Sequence, residues 1–318
     1  MNILITGGCG YVGSKLVLDL AAKEHFLRVV DSQWFGNYLP ELKNVEIIRK
    51  MYAEIDENDL NGIDVVIHLA NVANDPSVEL NPTMSWEINV LNHTQLLDKC
   101  KKNKSVKKFI YASSGSVYGV KEEEKVTEDL ELVPISVYNK TKMVAERIAL
   151  SYANDFSVYV IRPATVCGVS PRMRFDVVVN LFTLQAYKDG IIRVLGGDQI
   201  RPNIHIKDMV DVYNHFISNE LTAGIYNAGF ENISVNEIAH LVANVTGAEI
   251  KWKESNDPRS YRQDSTKLIS TGFIPSKNVH DAISEIIVGL REKTLLDLPQ
   301  WHTVGWMVKN IIPTKELN

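Results

Sequence analysis

Asn2-Ile3-Leu4-Ile5-Thr6-Gly7-Gly8-Cys9-Gly10-Tyr11-Val12-Gly13 stands at the head of the chain, an apolar run followed at once by three glycines spaced three apart. The pattern predicts a short strand, a tight turn and a helix beginning near Tyr11. Gly7 permits the turn, Gly10 lets backbone approach a pyrophosphate, and Gly13 lets the helix pack close to the strand. A second strand, Leu27-Arg28-Val29-Val30, ends in Asp31, at a distance that suits a hydrogen bond to the ribose hydroxyls of an adenosine. Strand, glycines, helix, strand and acid in that order predict a dinucleotide site. Ser32, Gln33 and Trp34 follow Asp31 with no Arg or Lys among them. A 2′-phosphate would meet the carboxylate with no adjacent cation, so NAD is expected rather than NADP.

Outward from this stretch the first half alternates strand-like and helix-like patterns. Strands are expected at 2–6, 27–31, 64–69, 108–113 and 157–162, and helices near 11–23, 83–100 and 138–153. The strand runs are almost continuously apolar, as in parallel strands covered on both faces. That predicts an α/β fold, a Rossmann-type doubly wound parallel sheet, over residues 1–167, with 204–225 returning to it as a strand and helix. Residues 168–318 are less regular and are expected to form a smaller mixed α/β domain that binds substrate. The tail from Leu295, which carries Trp301 and Trp306, is too aromatic to remain in solvent and should pack.

Bulk properties exclude several classes. The 318 residues are 45% hydrophobic and 23% charged, which is ordinary globular composition. A net charge of −5 and the lack of a long basic cluster argue against nucleic acid as a partner. Lys101-Lys102-Asn103-Lys104 reads as the end of a helix, and Glu122-Glu123-Glu124 as a solvated loop rather than a metal site. Cys9, Cys100 and Cys167 lie far apart, so a reducing, cytoplasmic location without disulfides is expected. With the first strand expected from Asn2, no signal peptide is expected, and no apolar stretch approaches membrane-spanning length.

The chemistry-bearing pattern is Tyr138-Asn139-Lys140-Thr141-Lys142. Four-residue spacing at a helix start puts Tyr138 and Lys142 on one face. A phenol titrates near pH 10, and a neighbouring ammonium together with an oxidised nicotinamide would bring it toward neutrality as a base. The expected fourth strand of the sheet ends in Ser113-Ser114-Gly115-Ser116-Val117-Tyr118-Gly119, at the carboxyl edge where open α/β sheets bind ligands. A serine there can share a proton with the same substrate hydroxyl.

With these segments in place, the chain resembles the extended short-chain dehydrogenase/reductases, in particular the NAD-dependent nucleotide-sugar epimerase/dehydratase group. The resemblance runs over essentially the whole length. Its motifs are Thr6–Gly13, His68-Leu69-Ala70, Ser113–Gly119 and the Tyr138/Lys142 pair. Aligned through Val117-Tyr118-Gly119, the family's catalytic Ser/Thr falls on Ser114. The resemblance implies that Gly7, Gly10, Tyr11, Val12, Gly13 and Asp31 contact the cofactor. It adds Leu69 and Ala70, Asn89 near the lysine, and Pro163 and Thr165 beside the nicotinamide. It further implies that Ser114, Ser116, Asn180, Arg201, Arg259 and Arg262 meet a nucleotide-diphosphate sugar; arginine suits diphosphate because its planar fork binds oxygens bidentately. Two departures follow. The family's usual Gly-Asp is absent from Glu46-Ile47-Ile48-Arg49-Lys50-Met51-Tyr52, so adenine must be met differently, through packing of Met51 or Tyr52. The carboxylates that the family's 4,6-dehydratases carry after Ser/Thr are replaced by Gly115 and Ser116, and the 3,5-epimerising branch's cysteine is missing there too.

Two outcomes of C4 oxidation remain, release of a 4-keto sugar or its return as the 4-epimer. Segments such as Asn74-Asp75-Pro76 and Pro171–Asp176 look more like enzymes of bacterial surface-polysaccharide sugars, nearest to GDP-manno-heptose 4-dehydrogenases of capsule pathways. A non-catalytic NAD-binding regulator is the distant alternative, disfavoured because Ser114, Tyr138 and Lys142 are all present. The resemblance also implies a homodimer through helices 83–100 and 138–153, with Trp86, Val90, Val144 and Ile148 as candidate contacts. No metal is expected.

Overall fold

The structure is a computed structural model that describes residues 1–254 and 260–312. Its central sheet is built from β1 (Asn2–Thr6), β2 (Phe26–Asp31), β3 (Val45–Arg49), β4 (Val65–His68), β5 (Lys108–Ala112) and β6 (Ser157–Pro163). Further on come β7 (Thr165–Cys167), β8 (Ile191–Leu195), β9 (Ile200–His205), β10 (Gly224–Ala228), β11 (Glu231–Ser234) and β12 (Glu249–Lys253). The order β10-β6-β5-β4-β1-β2-β3 makes a seven-stranded sheet, and each of its six pairings is parallel. The order reverses beside β1, which puts a crevice at the carboxyl ends of β1 and β4. Ile3, Leu4 and Ile5 are fully buried, the consequence of a strand covered on both faces. One face is packed by the helices Tyr11–Ala22 and Ile206–Ser218 through Leu16, Val17, Met209 and Phe216. The other is packed by Asn92–Lys102 and Val137–Leu150 through Leu96, Leu97, Ala145 and Ala149.

Two details differ from expectation. The helix expected at 83–100 is broken into Pro82–Trp86, a wide π turn Glu87–Leu91 and Asn92–Lys102; π turns of this kind accompany local functional demands, and here the wide turn buries Asn89. The returning segment does not add its strand to the main sheet: β9 pairs with β7 and β11 in a separate three-stranded sheet. Only the helix Ile206–Ser218 comes back, and the strand that extends the main sheet is the later β10. In the second half, β8 and β12 pair in parallel, and helices Val178–Asp189, Val235–Thr246 and Val279–Arg291 share a core with Ile192, Val194, Ile238 and Ile283. Trp301 is buried and Trp306 Nε1 donates to Trp34 O at 2.6 Å, so the tail packs.

Candidate active site

The glycine turn is sterically committed. Gly7 has φ +74°, and a Cβ there would meet Ala70 N at 2.7 Å. A Cβ on Gly13 would meet Gly7 O at 2.3 Å, so only glycine lets the helix start this close to the strand end. Gly10 is hindered by Gly7 O alone, at 3.1 Å, and leaves its outer side open. This turn and the N-terminus of Tyr11–Ala22 line a cavity of about 730 Å³ along the carboxyl edge of the sheet. The positive end of that helix and its free N–H groups favour an anion there.

Asp31 occupies one end. Its Oδ2 accepts from Cys9 N at 3.0 Å and its Oδ1 from Gln33 N at 2.7 Å, which aims the carboxylate across the turn while burial pushes its pKa up. Met51 and Tyr52 line the cavity as expected for the missing Gly-Asp. Trp34 and Phe35 line it too, and no sequence signal points to them, since a loop tryptophan and phenylalanine have no periodicity to reveal them. A glycine turn at a helix N-terminus, an aimed acid and an aromatic-lined end fit a dinucleotide.

At the other end lie Ser114, Tyr138 and Lys142, all on the cavity wall. Ser136 caps the helix Val137–Leu150 by accepting from Asn139 N at 3.1 Å, which sets Tyr138 in the first turn. Burial pushes the Tyr138 phenol up to about 12, opposed by a hydrogen bond with Ser114, by the charge of Arg174 and by a backbone bond from Asn74. Ser114 Oγ also pairs with Ser116 Oγ at 2.8 Å. Lys142 is buried, donates to Ala112 O at 2.7 Å and lies 5.0 Å from the Tyr111 ring centre; burial draws its pKa down to about 7. The leading cation acting on the phenol is therefore Arg174, whose Nε donates to Asp176 Oδ1 at 2.7 Å, rather than Lys142, which is held to the end of β5.

A buried network backs this end. Glu146, one turn beyond Lys142 on the same helix, accepts from Ser113 Oγ at 2.9 Å and from Arg162 Nε at 3.0 Å. Arg162 Nη2 closes a second contact with Glu146, and Nη1 donates to the Tyr118 hydroxyl at 2.6 Å. The 138, 142, 146 spacing is the sequence signal for this residue.

The remaining expected residues divide. Pro163, Thr165, Leu69, Ala70, Tyr11, Val12, Ser116 and Arg201 line the cavity. Asn89 does not: its Oδ1 accepts from Val72 N at 2.8 Å and its Nδ2 donates to Val72 O and Thr141 Oγ1. It braces the loop after β4 against the Tyr138 helix, a supporting position behind the cavity rather than on its wall. Asn180 is fully buried and off the cavity wall, its amide bonded to Gly168 N, Tyr11 OH and Arg174 O. Arg262 is exposed and outside the cavity, whereas its neighbour Tyr261 reaches it. Arg259 lies outside the described residues. His68 is structural, bonded to Thr6 Oγ1 at 2.6 Å and stacked on His93. The three cysteines are free and buried. Among the described residues no His, Cys, Asp or Glu cluster suits a metal, and no helix is long and apolar enough to cross a membrane.

Comparison with known proteins agrees with this geometry. The profile of the NAD dependent epimerase/dehydratase family matches residues 3–229. "Uncharacterized UDP-glucose epimerase YtcB" of Bacillus subtilis (strain 168) is 30% identical over 78% of this chain and 83% of its own length. The UDP-glucose 4-epimerase of Lactobacillus helveticus is 26% identical over 89% of this chain and 95% of its own. Among solved structures, MoeE5 in complex with UDP-glucuronic acid and NAD superposes with a TM-score of 0.84 at 26% identity, covering 92% of this chain and all of that one. The UDP-glucuronic acid 4-epimerase from Bacillus cereus, with UDP-glucuronic acid and NAD, gives 0.82 at 25% identity, over 92% of this chain and all of that one. Fold, glycine turn, serine segment and Tyr138/Lys142 pair thus place the chain as a member of the NAD-dependent epimerase/dehydratase family, an enzyme family acting on nucleotide sugars.

Proposed function

We propose that this enzyme oxidises C4 of a nucleotide-diphosphate sugar, giving a 4-keto sugar. The observation that carries the reading is the convergence of Ser114, Tyr138 and Lys142 on one wall of the cavity that begins at the glycine turn. Tyr138 takes the proton of the C4 hydroxyl, and Ser114 hydrogen-bonds the same oxygen and steadies the charge that develops on it. Lys142, whose amine is held by Ala112 O, would hold the ribose of the cofactor. NAD, when bound, accepts the hydride and brings a positive ring that lowers the phenol from the value burial imposes. Gly115 and Ser116 offer no carboxylate, so water is not expelled across C5–C6.

Residues 1–167 with 204–225 hold the cofactor in this reading, and 168–318 the nucleotide sugar, with Arg201 on the diphosphate. The names of three of the relatives above, two UDP-glucose epimerases and a UDP-glucuronic acid 4-epimerase, favour a second outcome in which the keto sugar turns over and is reduced to the 4-epimer. A location in the cytoplasm and a role in surface-polysaccharide synthesis belong to the same proposal. So does a homodimer through the Pro82–Lys102 and Val137–Leu150 segments, where Trp86 and Leu91 are exposed. The test is a panel of UDP-, dTDP-, CDP- and GDP-hexoses and GDP-manno-heptose, followed by nicotinamide absorbance and sugar NMR together. Reduced cofactor accumulating with a 4-keto sugar supports oxidation. A C4 epimer without net cofactor change supports epimerisation, and a 4-keto-6-deoxy product overturns both.

A further inference from the structure

Arg172 is a buried cation that, among the described residues, has no carboxylate in hydrogen-bond contact. It is 3% exposed yet lines the cavity. Its Nη2 reaches only neutral acceptors at long range, Gln300 O at 3.3 Å and Thr303 Oγ1 at 3.4 Å, and its Nε is buried with no partner. Burial and the neighbouring Arg174 hold its pKa down to about 10, so it stays charged at neutral pH. The charges of Asp176 and Asp31 oppose that shift through space, but neither carboxylate hydrogen-bonds the guanidinium, and a buried charge is costly unless paired and hydrogen-bonded. Its place is defined from two sides. The backbone N–H of Arg172 donates to Ser14 Oγ at 3.2 Å, in the first turn of the helix whose N-terminus lines the cavity. The guanidinium lies over the Phe35 ring, 4.3 Å from its centre, and its charge acts on Asp31. Phe35, Ser14 and Asp31 tie it to the end of the cavity that holds the glycine turn.

We propose that Arg172, carried in by the second half of the chain, binds the diphosphate of NAD, completing the anion site begun by the glycine turn. The orphaned Nε and a guanidinium seated over the Phe35 ring suit a charge-assisted, two-pronged contact with phosphate oxygens. A cation absent from the sequence next to Asp31 is thereby supplied from 141 positions away. This inference rests on the cofactor and not on the C4 reaction, and it is read by binding alone.

The experiment is calorimetric titration of Arg172→Gln, Arg172→Lys and the unaltered enzyme with NAD, NADP, ADP-ribose, adenosine and UDP, with thermal melting of each ligand-free protein as the folding control. Expected for Arg172→Gln is a loss of at least tenfold in affinity for NAD and ADP-ribose, with adenosine unchanged because it carries no phosphate. Arg172→Lys should recover part of the loss, since it keeps the charge but not the fork. If Arg172→Gln does not fold, a weakened NAD affinity of folded Arg172→Lys with adenosine unchanged supports the proposal in its place. Unchanged NAD affinity overturns the proposal, as does a loss confined to UDP, which would place the residue on the substrate's diphosphate, or one confined to NADP, which would place it on a 2′-phosphate.

Discussion

Replacing Glu146 by Leu tests whether the buried network behind the catalytic helix holds the site together. Glu146 and Arg162 are each about 2% exposed along their side chains, and Glu146 takes hydrogen bonds from both Arg162 and Ser113. Removing the carboxylate leaves the Arg162 guanidinium in the core with only the Tyr118 hydroxyl and Glu128 O, a loss of about 3–5 kcal/mol. With 318 residues at about 2.1 cal/mol/K each, the unfolding entropy is roughly 0.67 kcal/mol/K, so the midpoint should drop by about 4–8 °C. Calorimetry and urea denaturation read this directly. The double variant Glu146→Leu/Arg162→Met removes both charges and should regain most of the loss, because an apolar pair of similar size is close to neutral. Activity of the single variant should fall further than stability explains, since Ser113 adjoins Ser114 and small displacements of reacting groups reduce rates by up to about 100-fold. A single variant within about 1 kcal/mol of the parent, or a double variant as unstable as the single, would refute the view that this pair is a coupled buried brace.

Three other outcomes follow from the site. Tyr138→Phe should reduce kcat by roughly 10²–10⁴-fold while NAD affinity, measured by fluorescence titration, stays within a few-fold of the parent. Gly13→Ala should abolish measurable NAD binding, because its Cβ meets Gly7 O at 2.3 Å, whereas Gly10→Ala, with one contact at 3.1 Å, should retain weakened binding. Lys142 has a pKa of about 7 in the folded protein against about 10.4 in an unfolded chain. Between these values the unfolded state binds more protons, so this group makes the ligand-free protein more stable as pH rises from about 7 to about 10, and less so as pH falls through that window. Lys142→Met should flatten that rise, with its stability advantage largest near pH 7 and closing toward pH 10 in denaturation series.

How much was legible in the sequence depended on whether a residue's partner was near it in the chain. The run Ile3-Leu4-Ile5 with Gly7, Gly10 and Gly13 is local chemistry, and the structure reproduces its strand, turn and helix. Tyr138, Lys142 and Ser114 stand out because helical spacing and a strand end announce them. Asn89 and Asn180 are assigned to ligands by resemblance, but burial turns their amides onto backbone groups of their own protein. Arg172, Arg174 and Asp176 sit in an irregular segment, and what gives each its meaning is a residue far away in sequence: Asp31, Tyr138 and Asn74, whose Nδ2 donates to Asp176 at 3.1 Å. No periodicity encodes that. The π turn that buries Asn89 was invisible for the same reason, since the residues around it read as continuous helix.

The most direct test of C4 oxidation uses nucleotide sugars deuterated singly at C3, C4 or C6, mixed with stoichiometric enzyme and NAD and quenched within one turnover. Deuterium should appear on the nicotinamide ring from the C4-labelled sugar alone, and Tyr138→Phe should suppress it. Label arriving from another carbon, or none from C4 while sugar is converted, would contradict C4 hydride transfer as the chemistry of this site.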